Sequence, residues 1–177
     1  MNNKNSTRRM KFINAAVNKL IFRPRKDDRM FPIIDYCHNP VEGCLHGCIY
    51  CWARRKAKNK LKNTSFRPQL NRKKLKERFK PGYLIFEVDN GDLWGDWVPR
   101  EWISAVLGYV RKYPKVYFLF LTKNPARYHE FLDYFPENAV LGATIETNRD
   151  DLYKKYRISR APLPSERYRA MKELDWD

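Results

Sequence analysis

The chain has 177 residues, 43% hydrophobic, 15% aromatic and 32% charged, enough for one soluble domain and too few for two well-developed cores. No apolar run approaches the ~20 residues of a membrane-spanning helix, and the composition excludes collagen-like and coiled-coil classes. The formal net charge is +16, and residues 1–80 carry 22 of the 36 Lys and Arg against five Asp and Glu, so a polyanionic partner is expected, nucleic acid first.

Residues 1–30 read as a basic N-terminal tail with one amphipathic helix. Phe12, Ile13, Ala16, Val17, Leu20 and Ile21 recur at helical spacing from Lys11 to Phe22, and Pro24 ends the pattern. Asn14 and Asn18 interrupt this stretch, which is therefore not a secretory signal, and a cytoplasmic location is expected. From residue 31 to 177 short apolar runs alternate with helical patterns. Ile33–Tyr36, Tyr83–Val88, Val116–Leu121 and Ala139–Ile145 read as strands, without alternation and so covered on both faces as in a parallel sheet. Trp102, Ile103, Val106, Leu107 and Val110 mark a helix between Pro99 and Pro114. A second helix starts at Asn124, as cap, and Pro125, and buries Tyr128, Phe131, Leu132 and Phe135. A third, Ser165 to Leu174, turns Tyr168, Met171 and Leu174 inward. The order is βαβαβαβα, and functional groups should gather in the loops after the strands.

Between Arg54 and Lys80 lie 13 Lys and Arg against the single acid Glu77, interspersed with Phe66 and Phe79, so phosphates gathered by this run would lie near the chemistry of the cysteines before it. Just before this run stand Cys44, Cys48 and Cys51 in CxxxCxxC spacing, with Tyr50 before the last Cys and Gly43 and Gly47 as turn residues. Three thiolates from one loop reach three corners of a cubane iron–sulfur cluster and leave one iron without a protein ligand. Zinc is the alternative, with His46, His38 or Cys37 as fourth ligand, although Cys37 reads better as a buried thiol.

The CxxxCxxC loop with an aromatic residue before its last Cys, after the first strand of a βα array, resembles the radical S-adenosylmethionine (SAM) superfamily. Within it, NPVEGCLHGCIYCWAR, GDLWGDWVP, FLTKNP and LGATIETNR, spanning Asn39 to Arg149, resemble the phage Gp37/Gp68-like (DUF5131-type) proteins. The resemblance implies that Cys44, Cys48 and Cys51 hold a [4Fe-4S] cluster, that S-adenosylmethionine chelates the open iron, and that its reductive cleavage yields a radical which abstracts a hydrogen atom. It also implies an electron donor such as a flavodoxin or ferredoxin. Tyr50 falls beside the cofactor. The segment expected to receive the SAM amino group reads Asn90, Gly91, Asp92, which leaves Asp92 as the acceptor. Thr122 and Lys123 after the third strand, and Glu146, Asn148 and Arg149 after the fourth, face the same mouth. There Lys123 or Arg149 pairs with the SAM carboxylate or a substrate phosphate, and Glu146 or Asn148 with ribose hydroxyls. Trp94 and Trp97 are offered either as base-stacking rings or as packing.

The fold class implied is α/β, a partial radical SAM-like (β/α) barrel of about four parallel βα units, where the superfamily has about six. The fourth strand is then an open edge for an oligomer to cover. Two functions follow: a radical SAM enzyme acting on a nucleic acid or nucleotide, or a non-catalytic nucleic-acid-binding protein with a structural zinc or iron–sulfur site.

Overall fold

The structure, a computed structural model, describes residues 31–60 and 65–176. The helix expected over Lys11–Phe22 lies outside the described residues. Strands β1 (Tyr36–His38), β4 (Leu84–Glu87), β5 (Tyr117–Thr122) and β6 (Ala139–Ala143) form one parallel sheet in that spatial order. Helix α1 (Trp52–Lys60) follows β1, α2 (Arg100–Val110) links β4 to β5, a 3₁₀ helix (Pro125–Tyr134) links β5 to β6, and α3 (Asp150–Lys155) and α4 (Pro164–Lys172) follow β6. A two-residue antiparallel ribbon, β2 (Val41–Glu42) with β3 (Gln69–Leu70), was not expected from the sequence. The architecture is thus mixed α/β around four parallel strands.

The first strand begins at Tyr36, three residues later than its apolar run suggests. Phe31 to Ile34 closes a turn instead, with the Ile34 amide donating to the Phe31 carbonyl at 3.1 Å, while the Asp35 carboxylate accepts from the Leu84 amide at 2.9 Å. Pro32, which has no N–H to offer a ladder, favours that turn. The strand after it, β4, is buried at all four positions, as an interior strand should be. On β5 burial alternates: Phe118, Phe120 and Thr122 face the main core, whereas Tyr117, Leu119 and Leu121 are half-buried beside Ile34, Leu84 and Phe86. Strand β6 is half-buried beyond Ala139 and, among the described residues, forms one edge of the sheet, with β1 at the other. The expectation of two covered faces therefore holds for β4 and fails for β5 and β6, because the helices after β4 and β5 pack on one face only.

That face carries Ile103, Val106, Leu107 and Val110 of α2 against Ile85, Phe118 and Phe120. Trp94, 1% exposed, sits within it with ring centroids 4.8–5.7 Å from Tyr128, Phe120, Phe131 and Phe135. It is a core residue, and its role as a base-stacking ring is closed by burial.

The Pro125–Tyr134 segment departs from the α-helix expected there. Over so short a run a spacing of three or four fits either helix type, and the 3₁₀ form puts Pro125, Tyr128 and Phe131 in one buried row. Asn124 does not cap it; its Nδ2 donates to the Trp94 carbonyl at 3.0 Å and the Asp96 carboxylate at 2.7 Å, tying the loop after β4 to the end of β5. In α4 Met171, and Leu174 just beyond it, are partly buried against the core as expected, but Tyr168 is 60% exposed and its neighbour Arg167 is fully buried.

Candidate functional site

The carboxyl ends of β4, β5 and β6 and the cysteine loop enclose a cavity of about 250 Å³. Cys44, Cys48 and Cys51 all line it, each half-buried and free of any disulfide. Tyr50, Gly91, Asp92, Thr122 and Lys123 line it as well, so most of the residues expected to meet a cofactor do share one space. Its remaining wall is largely apolar, with Ala53, Phe66, Phe86, Val88 and Leu121.

Glycine is required where the loop enters. Gly43 has φ +94°, and a Cβ there would lie 2.3 Å from the Arg67 carbonyl oxygen. Its amide donates to the Asn90 carbonyl at 3.0 Å, forming a parallel bridge with Gly91, where a Cβ would stand 2.9 Å from the Gly43 oxygen. The two backbones thus approach so closely that the cysteine loop is latched onto the loop after β4. Val88, at the start of that loop, has φ +64° although it is β-branched and buried, a conformation that costs of order 1–3 kcal/mol.

Asp92 is the hub of this latch. Its Oδ1 accepts from the Trp94 amide at 3.0 Å and the Thr122 hydroxyl at 2.7 Å. Its Oδ2 takes the Lys123 amide at 3.0 Å and pairs with His46 Nε2 at 2.9 Å. Burial alone would raise its pKa, but His46, the Lys123 amide and the Thr122 hydroxyl together hold it below the ordinary carboxylate value. All four lone-pair positions are therefore occupied, and the amino-group acceptor expected at Asp92 has no acceptor left to offer. Asp89 also lines the cavity, and only its Oδ1 is engaged among the described residues, by Asn39 Nδ2 at 2.5 Å. Composition gave no signal for this difference, since both carboxylates sit in the same DNGD segment.

Around the thiols the backbone supplies donors. The His46 amide points at Cys44 Sγ (3.5 Å) and the Arg54 amide at Cys51 Sγ (3.3 Å), while the Cys48 thiol donates to Ser159 Oγ (3.2 Å). Burial, and then the Asp92 charge, push the Cys44 thiol far above its ordinary range. A metal site would have to displace the thiol proton, and N–H donors to sulfur stabilise the thiolate that results. Three sulfurs on one cavity, amide donors at two of them and an apolar wall suit a thiolate-held cluster.

The zinc alternatives fare differently. Cys37 is half-buried against Ile34, Leu84 and Phe86 and does not line the cavity. His38 is fully buried, with Nδ1 on Glu87 at 2.8 Å and Nε2 on the Lys74 carbonyl at 2.9 Å. It is therefore sealed off from the cysteines. His46 does line the cavity, but its Nε2 is spent on Asp92.

Glu146 closes the rim without lining the cavity. Its Oε1 accepts from the Tyr50 hydroxyl and pairs with Lys123 Nζ, and its Oε2 receives Arg167 Nη1 at 2.5 Å. Burial opposes ionisation, yet the bonds from Lys123 and Tyr50 and the charges of Lys123 and Arg167 lower its pKa to about 2. Lys123 also lies 5.3 Å from the Tyr50 ring centroid. Arg167, which periodicity alone placed off the inward face, is held by the Pro162 and Thr144 carbonyls and the Tyr153 hydroxyl at 2.6–2.8 Å. Asn90 contributes backbone bonds to the latch and does not line the cavity. Asn148 and Arg149 are exposed; Arg149 pairs with Asp151 at 3.6 Å, so neither joins the cavity.

The basic run is largely on the surface: Arg67, Arg72, Lys73, Lys76, Arg78 and Lys80 are exposed, and Lys74 pairs with Glu77 at 2.7 Å. Its aromatics are not free for stacking, because Phe66 is 4% exposed against Ala53 and Ala57, and Phe79 packs on Tyr109, Tyr113 and Phe118. Trp97 is likewise engaged, edge-on to the His46 ring at 4.7 Å. Exposed rings occur at the cavity itself: Tyr50 is 43% and Trp52 37% exposed, the latter with Lys56 Nζ 5.6 Å from its ring centroid. Among the described residues no helix is long and apolar enough to cross a membrane.

No curated protein and no solved structure matches this chain. The sequence model of DUF5131, described as a protein of unknown function, matches residues 31–170, most of the chain, and the protein belongs to that family.

Proposed function

We propose that the protein is a radical SAM enzyme acting on a nucleic acid or nucleotide. The observation that carries this reading is the convergence of three thiols from one CxxxCxxC loop on a single cavity whose other walls are the carboxyl ends of β4 and β5. Cys44, Cys48 and Cys51 would hold a [4Fe-4S] cluster, and a fourth iron without a protein ligand would receive S-adenosylmethionine. When bound and reduced, that cofactor pair supplies one-electron cleavage of SAM and hydrogen-atom abstraction.

The chain's own residues bind, orient and exclude water. Asp89 offers a carboxylate oxygen to an amino group, Lys123 a cation to a carboxylate, and the apolar wall keeps water from a reactive site. Asp92, through His46 and the Lys123 amide, holds the cysteine loop and the end of β5 in one register. Tyr50 is steadied by Glu146 at the mouth, where its ring and that of Trp52 present stacking surfaces beside Lys56 and Lys123. The exposed cations of residues 67–80 support a polyanionic substrate. In this reading the four parallel strands are part of a (β/α) barrel, β6 is an edge that a second subunit covers, and a flavodoxin or ferredoxin in the cytoplasm delivers the electron.

Anaerobic reconstitution tests the proposal. It predicts about four irons and four sulfides per chain, release of 5′-deoxyadenosine with dithionite and SAM, and loss of both in Cys48→Ala. Stoichiometric zinc with no SAM turnover would overturn it in favour of a non-catalytic nucleic-acid-binding protein.

A further inference from the structure

A second cavity, of about 510 Å³, lies behind the cysteine loop. Arg54, Lys154, Arg157 and Arg160 line it, with Ser159 and Tyr153, and no carboxylate does. Arg54 comes from the first turn of α1; the other three come from the end of α3 and the segment before α4, in the half of the chain whose acids and bases balance. Net charge per half therefore gave no hint of it.

Two features distinguish this cluster from a solvated basic face. None of the four cations forms an ion pair among the described residues, and the chain between Asp151 and Glu166 carries no carboxylate. Among the described residues the Arg54 Nε is buried without a hydrogen-bond partner, while its Nη2 donates to the Cys44 carbonyl at 3.4 Å; buried donors are nearly always satisfied. An unmet donor and unpaired cations are both offset by one kind of occupant, an anion with several acceptor oxygens.

The cavity is also built into the first site. Ser159 Oγ accepts from the Cys48 thiol at 3.2 Å and donates to the His46 carbonyl at 3.1 Å. The Arg160 amide donates to the His46 carbonyl at 2.7 Å, its Nη2 to the Leu45 carbonyl at 2.7 Å, and the Ile49 amide to the Ile158 carbonyl at 3.0 Å. An occupant of the basic cavity would thus sit one residue layer from the cysteines. We propose that this cavity binds the phosphate of a nucleotide or nucleic-acid strand, anchoring it while another part of the same ligand reaches the first cavity. The choice of a nucleic acid rests on the function proposed above; the phosphate site rests on the cations alone.

Lys154 and Arg157 are exposed and bear no side-chain hydrogen bond among the described residues, so Lys154→Gln/Arg157→Gln tests the site without removing a structural contact. The control is Lys112→Gln/Lys115→Gln, two exposed cations outside both cavities and outside the 67–80 run. Binding of 12-nucleotide single-stranded RNA and DNA is measured by fluorescence anisotropy across a salt series, and adenosine monophosphate is scored by the rise in Tm of the full chain. Expected are an affinity at least about tenfold lower for the cavity variant, a salt slope reduced by about two, and no Tm rise with the nucleotide. The control should lose less than about threefold. If the wild-type chain answers to the mononucleotide through Lys154 and Arg157 but binds neither strand, the phosphate site stands and the nucleic-acid substrate falls. Equal losses in both variants, or no change of any readout in the cavity variant, would overturn the site.

Discussion

Asp92→Asn removes one atom's worth of acceptor capacity from the centre of the latch. The carboxylate is 4% exposed and accepts from Trp94, Thr122, His46 and Lys123, two donors on each oxygen. An Asn has one acceptor oxygen, so its NH₂ must face one of the two pairs. In one orientation it meets the Lys123 amide and in the other the Trp94 amide, while the Thr122 hydroxyl and His46 ring can turn or change tautomer to accept. A backbone N–H is left buried and unmet either way, which costs about 1–3 kcal/mol, and the surviving bonds lose their charge assistance. The sum is roughly 2–4 kcal/mol, or about 4–16 °C in Tm for a chain of this size. Urea unfolding of the full chain at pH 7 measures it. The Asp92 pKa is lowered in the fold, so its contribution is complete above the ordinary value of 3.8 and is lost as pH falls through the lower folded value. The gap between wild type and variant should therefore persist to about pH 4 and close only below it. A loss under about 1 kcal/mol at pH 7 would refute the four-donor geometry.

Gly43→Ala should destabilise by at least about 3 kcal/mol in the same assay, since it adds a Cβ at 2.3 Å from a carbonyl and a strained φ. Glu87→Ala leaves the His38 ring buried beside a void and should cost about 3–5 kcal/mol in urea unfolding; a loss below 1 would deny the buried pair. Because Glu146 titrates near pH 2 in the fold against an ordinary 4.5, the stability it adds is present above pH 4.5 and disappears as pH falls towards 2. Melting curves of wild type and Glu146→Gln should differ at pH 6 and converge near pH 2, and parallel curves would count against the Lys123 and Arg167 pairings.

What could be read from the chain follows a simple division. Strands β4 and β5 were legible because their apolar residues are contiguous, and α2 because Pro99 and Pro114 bracket a clean stripe. The 3₁₀ helix was not, since residues 125, 128 and 131 share one face under either helical period. Arg167 hid in a helix whose inward face looked apolar, and its burial is explained by acceptors elsewhere in the chain, the Glu146 carboxylate 21 residues away with the Thr144 and Pro162 carbonyls and the Tyr153 hydroxyl. The same holds for the site. The cysteines are local in sequence and announced themselves; Asp89, Ser159 and the basic cavity depend on contacts between segments up to 115 residues apart.

The central claim is that three cysteines leave one corner of a cluster open to S-adenosylmethionine, and electron paramagnetic resonance addresses it directly. Dithionite-reduced, reconstituted protein is predicted to give a [4Fe-4S]⁺ signal whose g-values shift when S-adenosylmethionine is added. A signal that stays the same with the cofactor present, or no iron signal at all, would contradict the account.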